Sequence, residues 1–210
     1  MKLLEWQKFF AEQRDIHGKM IFSVAELANA ARVSLHRVNT ELGRLAGKEI
    51  ICRYAQGRYG LADEVTPEVL VPAIDQGAYI TGFHALFQHH IVTQAPSEIT
   101  CFTNRRHNRR PNRLSTAGRL RFICINAQIY SKPLKGIVAP PEQAFCDFVF
   151  LTVRDGVDPR HLVTFRNLDR LSSRKLGKFL EHYPAKIQAV AAAIRNGRAE
   201  ATGSSLPPSR

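Results

Sequence analysis

The sequence predicts an α+β chain in two parts: a small N-terminal unit of helices and a hairpin over residues 1–62, and an α+β domain over 63–196 with a small sheet followed by helices. Three observations predict it. Two capped helical segments precede a pair of short strands in the first sixty residues. Segments of strand character, "EITCFT" and "GRLRFICINAQIY", occupy the middle. From "PPEQAFCDFVFLTVR" onward the apolar residues keep a helical period.

In "KLLEWQKFFAEQR", Leu3, Leu4, Trp6, Phe9 and Phe10 recur on a helical period and define an amphipathic helix. Ser23 is an N-cap with Glu26 three residues on, a capping box, and the helix it opens turns Val24, Leu27 and Ala28 inward. "ARV" is short enough for a tight turn. Ser34 then caps a second helix that runs to about Ala46 and ends at Gly47. At 100° per residue, Leu35, Val38, Leu42 and Leu45 share one side, and His36, Arg37, Thr40 and Arg44 the other, with Gly43 among them. "EIICRY" and "RYGL", joined by "AQG", read as a hairpin. A short helix, a tight turn, a helix apolar behind and basic in front, then a hairpin make the winged helix-turn-helix pattern. In that reading the helix from Ser34 to Arg44 enters the major groove of double-stranded DNA. His36, Arg37, Thr40 and Arg44 face bases or phosphates, and the wing arginines Arg53 and Arg58 hold phosphates or the minor groove. The alternative left open is a protein-interaction module with no sequence-specific DNA site.

"LADEVTPEVLVPAID" reads as a linker or short helix between the two parts. A helix over 82–90 follows, with Thr81 as cap and Phe83, Leu86 and Phe87 inward. "GRLRFICINAQIY" supplies one or two strands with Leu120, Phe122 and Cys124 on one face, and "KPLKGIVAP" another short strand. Pro141 suits a first helical turn ahead of Ala144, Phe145, Phe148, Val149 and Leu151. Asp158 caps a short helix, Ser172 or Ser173 another, and the last helix ends at Gly197. Residues 197–210, small, polar and proline-containing, are expected to be disordered.

The chain carries a formal charge of +12 and a pI near 10, which point to an anionic partner. Its 44% apolar content is that of a globular protein. No apolar run approaches the roughly 18–20 residues a bilayer needs, and the N-terminus does not read as a signal peptide. Cys52, Cys101, Cys124 and Cys146 form no CxxC pair. Cys52, Cys124 and Cys146 lie in apolar contexts and read as buried thiols, which suits a reducing, cytoplasmic setting.

The charge is concentrated. Residues 99–141 hold seven arginines, two lysines and no acid, whereas 62–98 hold five acids and no lysine or arginine. The core of the basic segment is "TNRRHNRRPNR", read as a loop between two strands with Pro111 and Asn112 at its tip. Arg105, Arg106, Arg109, Arg110, Arg113, Arg119 and Arg121 form a second candidate anionic-partner surface, for DNA backbone, RNA or an acidic protein. No phosphate loop or GxSxG occurs. His84, His89 and His90 are poorly spaced for a metal, and Cys146 sits between phenylalanines as a core residue. No catalytic residue, cofactor or metal is expected.

The order of helix-turn-helix and wing, then "YITGFHALFQHHIVTQAPSEITCFTNRR", then "PPEQAFCDFVFL" resembles the AbiEi-type antitoxins of bacterial abortive-infection toxin–antitoxin systems over roughly residues 5–195. The telling pieces are Tyr79 to Leu86, His89, the "APSEITCFT" strand, and the helix start from Glu142 to Asp147; Gly82 and the run Gln88 to His90 depart from the family's usual spelling. The resemblance implies a repressor of its own operon that binds inverted repeats, and a partner toxin that looks like a nucleotidyltransferase, with direct contact left open. The absence of an obvious dimer helix adds the expectation of a free monomer that pairs on DNA.

Overall fold

The computed structural model describes residues 3–61, 65–107 and 111–203, with side chains as far as 196. Helix α1 (Leu3–His17) buries Trp6 and Phe10 but leaves Leu3 and Leu4 exposed, so its apolar stripe is narrower than the sequence pattern suggests. A two-residue strand β1 (Phe22–Ser23), not foreseen, leads into α2 (Val24–Ala31) and α3 (Leu35–Gly47). The capping box forms: the Glu26 amide donates to Ser23 Oγ, and the Ser23 amide donates to the Glu26 carboxylate. Arg32 turns the chain in a left-handed conformation, φ 52°, and Ser34 Oγ accepts from the Arg37 amide to start α3.

The hairpin is β2 (Ile51–Ala55) with β3 (Arg58–Leu61), and β1 pairs with the far side of β3 to give the order β1-β3-β2. Val38, Leu42 and Leu45 of α3 close on Trp6, Phe10, Leu27 and Ile51 in one core. Leu35, expected inward, lies in the first turn of α3 outside that core and is exposed.

The acidic stretch expected as linker or helix forms α4 (Pro67–Ile74), with Leu70 and Val71 fully buried; residues 62–64 lie outside the described residues. The second sheet runs β4 (Tyr79–Ile80), β5 (Ile99–Thr103), β7 (Gly118–Cys124), β6 (Asn112–Ser115) across its width. β5 and β7 are parallel; the other pairs are antiparallel. "KPLKGIVAP" is not a strand: it makes a single bridge, Val138 to Ile80, because two prolines and Gly136 at φ 75° limit extended pairing.

One face of this sheet, with Ile99, Cys101, Leu120 and Phe122, shares a core with Ile21, Tyr54 and Ala55 of the N-terminal unit and with Leu70 and Val71 of α4. Apolar packing therefore spans the boundary drawn at 62/63. The other face packs on α5 (Gly82–Gln88) and α6 (Pro141–Arg154). Beyond them lie α7 (Pro159–Leu162), α8 (Ser173–Leu180) and α9 (Ala185–Gly203).

Several expected details change. α5 stops at Gln88 because His90 takes φ 58°, and Phe87, expected inward, faces solvent. α9 continues through Gly197 to Gly203, since one glycine costs a helix only about 1 kcal/mol; residues 204–210 lie outside the described residues. Cys101 and Cys146 are buried, Cys52 is half-buried, and Cys124, at the end of β7, is exposed rather than buried. Among the described residues no helix is long and apolar enough to cross a membrane.

Candidate nucleic-acid interface

The outer face of α3 carries His36, Arg37, Thr40 and Arg44, all exposed, while Val38 and Leu42 on the opposite face are fully buried. The core thus fixes the rotation of the helix, and the basic side follows from it. Ser34 Oγ is used as the cap, so Ser34 starts the helix and does not reach outward from its face. Thr40 Oγ1 donates to the His36 carbonyl at 3.2 Å. Gly43 leaves the face open: a Cβ there would meet nothing within 4 Å. Arg53 is exposed on β2.

Arg58 differs from its expected role as a wing cation. Its Nε donates to the Ala73 carbonyl at 2.7 Å and Nη2 to the Ile74 carbonyl at 3.4 Å, at the C-terminal end of α4. Partial burial lowers its pKa, against the attraction of Glu26. Cations favour helix C-termini, and here one ties the hairpin to the second part of the fold.

The arginine stretch is not all loop: Asn112, expected at the loop tip, and Arg113 open the strand β6. Since β6 lies on the far side of β7 from β5, this stretch does not join neighbouring strands; its described start, residues 104–107, forms a strap at the end of β5, and Arg113 belongs to β6, opposite Leu120. The strap is anchored on a buried carboxylate. Asp75 Oδ2 accepts from Thr103 Oγ1 at 2.6 Å and from His107 Nε2 at 2.9 Å, and Oδ1 accepts from the Gly77 amide at 2.9 Å. Burial pushes the Asp75 carboxyl up, but the bonds from Thr103, His107 and Gly77 outweigh it and hold the carboxyl below its ordinary value. With Nε2 donating, His107 Nδ1 accepts from Arg113 Nη2 at 3.2 Å. His107 stacks on Phe122 with centroids 4.7 Å apart, and the Arg113 guanidinium lies 5.7 Å from the same ring. Arg121 pairs with Glu98 at 3.0 Å. Of the seven arginines expected on one surface, Arg105, Arg106 and Arg119 are exposed, Arg113 and Arg121 are engaged within the fold, and Arg109 and Arg110 lie outside the described residues.

No protein-family model matches the chain, and no curated protein matches it.

Sequence reasoning missed two polar nodes, Asp75 and Asp147. Asp147, on α6, is fully buried and accepts from Thr81 Oγ1 at 2.5 Å, from Tyr183 OH, and from Tyr79 OH at 3.5 Å. Burial pushes its carboxyl up to about 7, against those bonds. Thr81 therefore spends its hydroxyl on Asp147 rather than capping α5. The signal was clearest in "FCDF", an acid flanked by apolar residues, whereas Asp75 in "PAIDQ" is apolar on its N-terminal side only. Buried Glu142 accepts from the Ser172 amide at 3.0 Å. The histidines do not converge on a site: half-buried His84 has its pKa lowered by burial, and His89 Nε2 bonds the Ala139 carbonyl at 2.8 Å. Among the described residues no three histidine, cysteine or acidic side chains are grouped to hold a metal.

Proposed function

We propose that the chain is a winged helix-turn-helix DNA-binding repressor and antitoxin of the AbiEi type. It acts on inverted repeats in its own promoter and counteracts a nucleotidyltransferase-like toxin. The observation that carries the DNA-binding part is the outer face of α3, where His36, Arg37, Thr40 and Arg44 are all exposed above a buried apolar face. Arg37 and Arg44 stand two helical turns apart, roughly 10 Å, about the length of three base-pair steps. Each can take a guanine edge bidentately or a phosphate, with Thr40 between them and His36 just before Arg37. Arg53 on the hairpin reaches the backbone. An inverted repeat needs two copies of the chain, a free monomer pairing on the DNA. The role requires no cofactor and no catalytic residue.

The Arg37→Ala, Arg44→Ala double variant is expected to lower affinity for the chain's upstream DNA about 100-fold or more at physiological salt, two contacts at ~1–3 kcal/mol each. Because both positions are exposed, its thermal unfolding stays close to that of the wild type. A gel shift with undiminished affinity sinks the reading.

The toxin-directed part rests on the strap. A segment this basic, pinned at Asp75 and presenting Arg105 and Arg106 outward, suits a preorganised anionic contact. Alanine at Arg105, Arg106, Arg109 and Arg110 separates the partners. Loss of toxin control with repression intact assigns the strap to the toxin; the reverse outcome assigns it to the DNA backbone, with a salt slope shallower by roughly 0.9 per lost phosphate contact.

A further inference from the structure

The two ends of the four-stranded sheet are treated differently. At β4 the edge is covered: the Ile80 amide donates to the Ile137 carbonyl, and the Ala139 amide donates to the Ile80 carbonyl, both at 2.8 Å. At β6 it opens onto a groove of about 450 Å³ shared with β2, lined by Arg53 to Gln56 on one side and Asn112 to Thr116 on the other. That volume falls in the range of roughly 300–1,000 Å³ usual for ligand sites.

The hydrogen-bond alternation says which backbone groups face the groove. The Phe122 amide donates to the Pro111 carbonyl at 2.8 Å, so 111 and 122 form a bonded pair, and 113 with 120 forms the next. The amides and carbonyls of Asn112 and Leu114 therefore point away from β7. Thr116, next in the alternation, confirms the direction: its amide donates across the groove to the Tyr54 carbonyl at 3.0 Å. The edges of β2 and β6 thus meet at Tyr54 and Thr116, and the groove lies between 53–56 and 112–116. Leu114, 80% exposed, stands beside Arg119, its cross-strand partner. Arg53 and Arg113 line the groove, and among the described residues no acid does.

We propose that the β6 edge is a docking strand for an extended acidic segment of a partner protein, which adds beside Asn112 and Leu114 as a further strand with its carboxylates toward Arg53 and Arg119. Alternating amide donors and carbonyl acceptors match a peptide backbone. They do not match a DNA backbone, which offers acceptors alone to the groove's carbonyls. A second copy of this chain would set arginines against arginines, so charge selects an acidic partner. The inference stands independently of the DNA-binding reading.

The test uses the full chain and a fluorescein-labelled, acetylated seven-residue peptide of alternating glutamate and valine, read by anisotropy. The expected result is saturable binding, with no binding of the lysine–valine counterpart. Leu114→Pro removes one groove-facing amide but no bond to β7, and is expected to weaken binding about tenfold, the factor for one good hydrogen bond. A probe N-methylated on alternate amides tests the same contact on the unaltered chain, and keeps the test alive should Leu114→Pro fail to fold. The proposal is overturned by no saturation, by equal binding of a seven-residue polyaspartate, by undiminished binding of the N-methylated probe, or by a tenfold loss of duplex DNA binding in Leu114→Pro. The last outcome would give the edge to nucleic acid.

Discussion

Asp147→Asn is expected to flatten a decline in stability that the wild-type chain shows between about pH 4 and pH 8. In the fold this carboxyl is pushed up to about 7 by burial, whereas in the unfolded chain it titrates near 4. The folded state binds the extra proton between those limits. Stability from this group is therefore complete below the unfolded value and is lost as pH rises through the folded one. The slope reaches at most roughly 1.4 kcal/mol per pH unit. Asp75, Glu26 and Glu68, all held below their ordinary values, act the other way and at lower pH, so they do not mask it. His84, lowered by burial, gains stability as pH rises and partly offsets the decline, so the difference between variant and wild type is the proper readout. Urea midpoints at four pH values check it; identical slopes in the two proteins would refute the assignment. Asp147→Ala has a different and larger effect. It strands the hydroxyls of Thr81, Tyr79 and Tyr183 in the core without their acceptor, at a cost of about 3–5 kcal/mol at every pH. The node joins the strand, helix and turn that meet at α6, so its loss loosens the whole second half.

How much of this was legible follows from what each feature needs. The capped helices were legible because a cap and a 3.6-residue period are local: Ser23 with Glu26, Ser34, Asp158 and Ser172 all act as caps. The α3 face was legible for the same reason, apart from Leu35. β1 and β4 were not, because two-residue strands have no period to detect. β6, "NRLS", lacks the β-branched and aromatic residues that mark a strand, and its start hid inside the arginine run. That the arginine stretch leads to β6, beyond β7, needs the sheet order, which is a property of pairing between distant segments. The same holds for Arg58, whose partners Ala73 and Ile74 lie fifteen and sixteen residues on, and for the core shared across residues 62/63. Charge density was visible; which charges the fold consumes was not, as Arg113 with His107 and Arg121 with Glu98 show.

Gly60→Ala probes that shared architecture at its tightest point and is expected to destabilise the chain by about 3 kcal/mol. Gly60 sits in β3, opposite Cys52, where the segment leading into β1 crosses closely. A Cβ built there would stand 2.1 Å from the Met20 carbonyl oxygen and 3.1 Å from Tyr54 Cε2. The first contact is backbone, so it cannot be relieved by a rotamer change; β1 must move off β3 or the hairpin must shift. Either movement disturbs Ile21 and Tyr54, which carry the N-terminal unit's contact with the second sheet. An isolated glycine in a strand pattern, "RYGL", is the sequence signature of such a close backbone approach. Gly43→Ala is the internal comparison. It lies in α3, where an added Cβ meets nothing within 4 Å, and alanine there should stabilise by about 0.5–1 kcal/mol through helix propensity alone. Chemical denaturation of the two variants reads opposite signs from the same substitution. A Gly60→Ala protein within 1 kcal/mol of the wild type would mean that β1 and β3 are less tightly joined than these distances require.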